Sequence, residues 1–271
     1  MKFSKIATLV ASALAVASVS LPAQADDCDE ACKAARKAQD PLADTRAILT
    51  DNTISIGKNR GNTGYAFQIQ PVYSITTEYG FNVILRGVIP ISGVYRAAGP
   101  PGPLRAGYVW GLSDTILQAF FVPETDGAIK FGFGPQVSLP TRTNSVLAGP
   151  GWGGGFAAVA FGFAGNLSYG GIIGHHWGQK SFSVTTIQPI VMYNMDLFGG
   201  SYLGYNNSIT YNWSGKAGSR WQVPVGLTFG KTFVLDGGYA VDASIGAYAL
   251  AAKARGGPNA QIKFGVSVFF P

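Results

Sequence analysis

The chain is 271 residues long with a formal net charge of +6, and only 13% of its residues are Asp, Glu, Lys or Arg. That is about half the ~25% of a soluble globular domain, too little charge to clothe a water-exposed surface, and 13% aromatics with 37 glycines widen the departure. The positive charge is mild and unclustered, which argues against a nucleic-acid patch.

Lys2 and Lys5 precede an apolar run from Ile6 to Val19, and Ala23-Gln24-Ala25 supplies the small-x-small pattern of a signal-peptidase site. Residues 1–25 are therefore expected to be a signal peptide, cleaved before Asp26. Losing Lys2 and Lys5 lowers the charge to +4. The run is shorter than the ~20 residues of a spanning helix, and every later apolar segment is interrupted by Gly, Pro, a polar residue or a charge.

Residues 26–46 form a separate segment in which Asp, Glu, Ala and Lys predict a short periplasmic helix ahead of the main domain. Cys28 and Cys32 are spaced i, i+4 and would share one face of that helix. An exported protein permits a disulfide here, local or intermolecular, and this outweighs redox chemistry. Two thiols without further Cys or nearby His make a poor metal site.

From about Ile48 the pattern changes to period-2 alternation. Tyr65, Phe67, Ile69, Tyr73 and Ile75 alternate with Ala66, Gln68, Gln70, Val72 and Ser74. Phe131, Phe133, Val137 and Leu139 alternate with Lys130, Gly132, Gly134, Gln136 and Ser138, and similar runs recur to the C-terminus. Short turns near residues 78–80, 124–127, 164–166, 198–200 and 236–238 alternate with longer loops at 92–109, 141–152, 214–219 and 253–259. Apolar-out, polar-in strands with short turns at one end and long loops at the other predict an all-β, antiparallel transmembrane β-barrel of about twelve strands over residues 47–271. Aromatics bunch near strand ends, as interfacial girdles do. Pro71, Pro90, Pro189 and Pro224 withhold ladder donors, so they are expected near strand ends or at bulges.

The C-terminal Lys263-Phe264-Gly265-Val266-Ser267-Val268-Phe269-Phe270 resembles the assembly signal of outer-membrane barrels, with Lys263, Gly265, Val268 and Phe270 at its four defined positions and Pro271 as an extra residue. Gln68-Ile69-Gln70-Pro71-Val72, Gly111-Leu112-Ser113-Asp114, Gln188-Pro189 and Arg220-Trp221-Gln222-Val223-Pro224 resemble, in that order, a bacterial outer-membrane barrel family labelled "transporter" or neuromedin U-like. That family is related to the meta-pathway phenol-degradation outer-membrane proteins. The resemblance covers roughly residues 41–271. It implies a channel or uptake protein for small molecules in the outer membrane of a Gram-negative cell, and it offers no catalytic residues.

Strand alternation places Arg86, Asp114, Gln118, Lys130, Gln136, Gln188, Arg220, Asp242 and Lys263 in the lumen. They would line a narrow pore or form a polar network that holds the barrel in shape. The only histidines, His175 and His176, are adjacent, so parity sends His176 to the lumen and His175 to the lipid or rim. No spacing singles out a nucleophile beside them. The glycine-rich stretch from Gly149 to Gly155 lacks the Lys-Ser/Thr of a phosphate loop and reads as a loop entering a strand.

The expectation is thus a passive small-molecule channel in the cell outer membrane, without catalysis or cofactor. Its expected partners are outer-membrane lipid, the barrel-assembly machinery through the last strand, and small solutes; nucleic acid is not among them. The alternatives are a lipid-modifying barrel enzyme and a structural barrel with a plugged lumen.

Overall fold

The computed structural model describes residues 30–58, 63–96, 107–125, 127–147, 149–195 and 197–271. The expected signal peptide and the side chains of Cys28 and Cys32 lie outside the described residues. A helix, α1 (Glu30–Gln39), is followed by β1 (Arg46–Ile56), β2 (Gly64–Thr76), β3 (Phe81–Arg96), β4 (Gly107–Leu112), β5 (Thr115–Pro123), β6 (Ile129–Leu139) and β7 (Gly153–Ala164). Then come β8 (Leu167–Gly178), β9 (Ser183–Met195), β10 (Ser201–Asn206), β11 (Ile209–Asn212), β12 (Trp221–Val234), β13 (Ala240–Ala252) and β14 (Ala260–Phe270). Neighbours pair antiparallel, and β14 pairs with β1 to close the sheet.

The fourteen segments make twelve strands, because β4 and β5 both ladder onto β3, and β10 and β11 both ladder onto β9. Proline chemistry accounts for both interruptions. Pro90 pairs with Gln68 of β2 on one side, but on its other side the ladder jumps from Val88↔Ile116 to Ile91↔Leu112. Pro189 pairs with Gly171 of β8, and its other side faces the break between Asn206↔Ile190 and Ile209↔Ile187. Pro71 likewise keeps Ile48 of β1 and loses pairing toward β3, and Pro135 keeps Phe156 of β7 and loses pairing toward β5.

A barrel strand has two neighbours and a proline lacks one N–H, so it disables one ladder and leaves the other intact. The expectation that prolines would sit at strand ends or bulges therefore holds only for Pro224, at a register shift near the start of β12. Pro71, Pro90 and Pro189 are interior. The 92–109 stretch is likewise partly strand, since β3 runs to Arg96 and β4 begins at Gly107.

The widest ladder gap lies between β10/β11 and β12, where pairing stops after Gly204↔Thr228 and resumes at Thr210↔Gln222. Side chains replace the missing bonds. The Tyr248 hydroxyl accepts the Asn206 N–H at 3.3 Å and meets the Thr228 hydroxyl at 2.5 Å, while the Tyr205 hydroxyl donates to the Pro224 carbonyl at 2.9 Å. Tyr248→Phe leaves the Asn206 N–H without its acceptor in a buried setting and should cost about 1–3 kcal/mol. The check is the urea midpoint of the folded barrel in lipid vesicles; an unchanged midpoint would show that the gap does not depend on Tyr248.

Outward positions are apolar along the strands: Leu117, Phe133, Phe156, Ile173, Val225, Leu227 and Ile245 are all exposed. All five tryptophans (Trp110, Trp152, Trp177, Trp213 and Trp221) lie exposed at the end bearing the long loops, here the loop end. Tyr73, Tyr79, Tyr193 and Tyr239 are exposed at the opposite turn end. At the loop end, Trp110 of β4 folds over its cross-strand partner Gly93, where a Cβ would lie 2.6 Å from the indole. Glycine there makes room for the ring.

Candidate functional site: the barrel lumen

The N-terminal segment does not stand apart from the barrel as a separate periplasmic helix would. It enters the lumen at the turn end. Arg36 donates from Nη2 to the Gly165 carbonyl (2.8 Å) in the β7–β8 turn, and its guanidinium lies 5.6 Å from the Phe163 ring centre. Gln39 Nε2 donates to Asn194 Oδ1 at 2.7 Å. Asp40 accepts the Leu42 N–H at 2.8 Å and pairs with Lys130 of β6 at 3.2 Å. Leu42 then packs against Ile84, Phe120, Val122, Ala157 and Val159, which face inward from β3, β5 and β7. A second inward cluster of Phe161, Ile190, Met192 and Tyr202 adjoins through Ile172.

At the loop end, residues 140–147 and 149–151 fold inward. Leu147 is buried against the lumen face of Gly111, where a Cβ would stand 3.1 Å from Leu147 Cδ1. The fold of this loop is pinned at Asp114, in the break between β4 and β5. Its carboxylate is 0% exposed, lies 2.6 Å from Arg142 Nη2, and accepts from Arg142 Nε (3.0 Å) and the Gly151 N–H (2.6 Å).

Beside the N-terminal segment runs a cavity of about 480 Å³. Its lining extends from Asp40 and Thr45 to Ser55, Thr210 and Gln222, nearly the full strand height. One arc of wall is polar. On β14, β1, β2 and β3, Lys263 pairs with Asp51 at 2.7 Å, Arg86 donates to Gln70 at 2.5 Å and Gln70 donates to Gln68 at 2.7 Å; apart from this arc, Gln188 of β9 donates to Asn206 at 2.7 Å. Across the lumen, Asn207 of the interrupted strand donates to Gln261 of β14 at 3.1 Å. The facing arc is apolar and is supplied by Phe120, Val159, Ile172, Ile190 and Met192.

Of the residues that alternation sends inward, Arg86, Gln188, Asp242 and Lys263 line this cavity. Asp242 is caged, accepting from the Tyr202 and Thr232 hydroxyls at 2.9 Å each. Gln118 and Gln136 join each other at 2.9 Å across β5 and β6, and Gln136 also donates to the His175 carbonyl. Lys130 stands at the turn-end mouth and is spent on Asp40, and Asp114 is spent on the 140–152 loop.

Arg220 is a correction. It precedes β12, donates to the Gly215 carbonyl (2.8 Å) and to the Tyr211 hydroxyl (3.2 Å), and so belongs to the rim, because strand parity ends where the strand ends. Asp51, Gln70 and Gln261 complete the polar arc, and Asn207 meets it from the interrupted strand. Asp51 was available to the same parity argument through Thr53 and Ser55 of β1; Asn207 was not, since it lies in the strand break.

The C-terminal positions divide by face: Lys263 and Gly265 point inward, Val268 and Phe270 outward. Thr50 of β1 explains the glycine, since a Cβ at Gly265 would lie 2.4 Å from its carbonyl oxygen.

The two histidines point to opposite faces. His175 faces outward, bonded to Thr185 (2.7 Å), with its ring tilted against Trp177 at 4.2 Å between centres. His176 faces inward, with Nε2 2.8 Å from the Ser138 hydroxyl. Ser138 is 0% exposed and donates its proton to the Gly151 carbonyl at 2.8 Å, so it accepts from His176 rather than donating to it. His176 Nδ1 has no orienting partner among the described residues. A nucleophile needs its proton directed at the base and access to substrate, and this pair has neither. No group of three or more potential metal ligands occurs among the described residues.

No protein-family model matches the chain, and no curated protein matches it. Solved structures do. The COG4313 outer membrane channel from Pseudomonas putida F1 is similar with a TM-score of 0.60 at 12% identity, covering 86% of this chain and 98% of that one. CdiB from Acinetobacter baumannii gives a TM-score of 0.37 at 10% identity over 83% of this chain and 60% of its own. The first likeness establishes the fold as that of an outer-membrane channel, a closed antiparallel barrel of twelve strands.

Proposed function

We propose that the protein is an outer-membrane channel for small molecules, conducting along the polar arc of its lumen and restricted at the turn end by its own N-terminal segment. The observation that carries this reading is the cavity itself, which follows the strands for most of their height beside the amide and charged side chains of β14, β1, β2 and β3. The apolar outward face, with tryptophans at one end and tyrosines at the other, supports a bilayer setting. The export pattern of residues 1–25 and the C-terminal motif at Lys263, Gly265, Val268 and Phe270 support delivery to the outer membrane through the assembly machinery. The sequence resemblance to the neuromedin U-like, phenol-pathway-related barrels agrees with uptake of small molecules. The enzyme reading finds no support in the Ser138–His176 geometry.

The test is single-channel recording of the purified, folded protein in planar bilayers. Discrete, reproducible steps are expected. Silence from a correctly folded barrel would overturn the channel reading in favour of a structural barrel, for which the inserted N-terminal segment is the specific argument. Charge also has a defined consequence. Arg86→Glu replaces a lumen cation by an anion in a narrow water-filled path and should move the reversal potential in a salt gradient several-fold toward cations. An unmoved potential would place the ion path away from Arg86.

A further inference from the structure

Arg86 is poorly satisfied where it stands. One Nη donates to Gln70, but Nε has no partner, and among the described residues no carboxylate reaches ion-pairing distance of it. Buried guanidinium groups are normally paired, and each exception calls for an explanation. The anions around the cavity are already committed. Asp40 holds Lys130, Asp51 holds Lys263 and accepts from Thr53, and Asp242 has one oxygen taken by the Tyr202 hydroxyl and the other by that of Thr232. Lys263 has a contact ion pair, whereas Arg86 feels the charge of Asp51 without touching it.

The position of Arg86 matters as much as its charge. On β3 the inward positions are Ile84 and Arg86, two residues apart, so the guanidinium springs from the wall directly beside the apolar layer formed by Ile84, Phe120 and Val159. The cavity thus offers a cation with spare donors next to an apolar shelf. Its volume suits a small organic molecule and exceeds the needs of a bare ion.

We propose that the lumen holds a binding site for small amphiphilic monocarboxylates, with the carboxylate on Arg86 and the apolar body against the Ile84–Phe120–Val159 wall. A carboxylate matches the guanidinium fork, and charge-assisted bonds of this kind are the strong ones. A purely apolar solute leaves Arg86 unpaired, and a small inorganic anion leaves the shelf unused. The inference rests on the channel reading for its biological meaning and on the cavity alone for its chemistry.

The experiment uses hexanoate, acetate and hexan-1-ol as probes against the folded full-length mature protein in detergent, with dissociation constants from ligand-observed NMR saturation transfer. Hexanoate is expected to bind, and acetate at least about tenfold more weakly because it forfeits the buried methylenes. Hexan-1-ol should also be at least about tenfold weaker because it lacks the charge. Arg86→Gln should weaken hexanoate by about tenfold or more, with Arg86→Lys recovering part of the loss. Heat-modifiable gel mobility checks that each variant is folded.

Equal binding of hexanoate and hexan-1-ol, or hexanoate binding indifferent to Arg86→Gln, overturns the proposal. Bilayer recording of the same preparation separates the two readings. Binding without conductance removes the channel and keeps the site; conductance without binding does the reverse.

Discussion

Removal of residues 26–43 from the mature protein is expected to raise single-channel conductance by about tenfold or more. At the turn end the segment occupies the lumen, with Leu42 packed against Ile84, Phe120, Val122, Ala157 and Val159 and with Asp40, Pro41 and Ala43 lining the cavity. An ion crossing a dry layer gives up hydration at a cost of several kcal/mol, and each 1.4 kcal/mol changes a rate or population tenfold. The walls stay apolar when the segment is gone, so the gain comes from the width that Leu42 and the helix vacate.

The segment is held by modest forces. A buried leucine contributes about 1.5–3 kcal/mol, and the Asp40–Lys130 pair adds little more than about 1 kcal/mol because half of the lysine is exposed. Arg36 on the Gly165 carbonyl and Gln39 on Asn194 add to this, so Leu42 is one anchor among several. Leu42→Asp, which places a charge in the apolar layer, should reproduce part of the deletion's effect without shortening the chain. If both variants conduct like the parent, the path does not pass Leu42 and the segment is structural.

What the sequence reveals and conceals here divides by range. Alternation is local, and it suffices for twelve strands and for the opposite faces of His175 and His176. The prolines are a subtler case. Their chemistry is local, but its effect appears on the neighbouring strand: Pro90 breaks β4 from β5, and Pro189 faces the break between β10 and β11. Reading each proline within its own strand misplaced three of them, because the missing donor is missed by a neighbour and not by the strand that carries it. The breaks then do something parity cannot foresee. They put Asp114 and Asn207 off the regular ladder, where one grips a loop and the other reaches across the lumen to Gln261.

The helix of the N-terminal segment is legible, but its seat in the lumen is hidden for the same reason at longer range. Its composition marks a helix, but the partners of Leu42 are spread over three strands, and nothing within residues 26–46 indicates that a hole of the right width waits for them. Inward-facing charges are similarly underdetermined. Parity treats Lys130, Asp114, Arg86 and Lys263 alike, and only the fold distinguishes the three already paired from Arg86, which bonds to Gln70 and has no contact ion pair among the described residues.

Asp114→Ala is expected to release the 140–152 loop from the lumen. The carboxylate is fully buried and receives Arg142 through its side chain at 2.6 and 3.0 Å and the Gly151 N–H at 2.6 Å. Removing one partner of a buried pair leaves an uncompensated charge and typically costs about 3–5 kcal/mol. The Arg142 side chain is 24% exposed, which puts the loss near the lower end of that range. The loss falls on the loop rather than the barrel, because β4, β5 and β6 keep their ladders to β3 and β7 whether or not the loop is seated.

The measurable consequence is local opening. A penalty of about 3 kcal/mol raises the open population by roughly two orders of magnitude, so hydrogen exchange at Leu147 and Gly151 should accelerate by that factor while the strands stay protected. The double variant Asp114→Ala with Arg142→Ala should recover part of the protection, because the stranded guanidinium is gone. Exchange unchanged in Asp114→Ala would mean that Leu147 against Gly111, and not the ion pair, holds the loop inward. The two ends of the lumen would then be closed by the same device, a leucine carried in on a connecting segment.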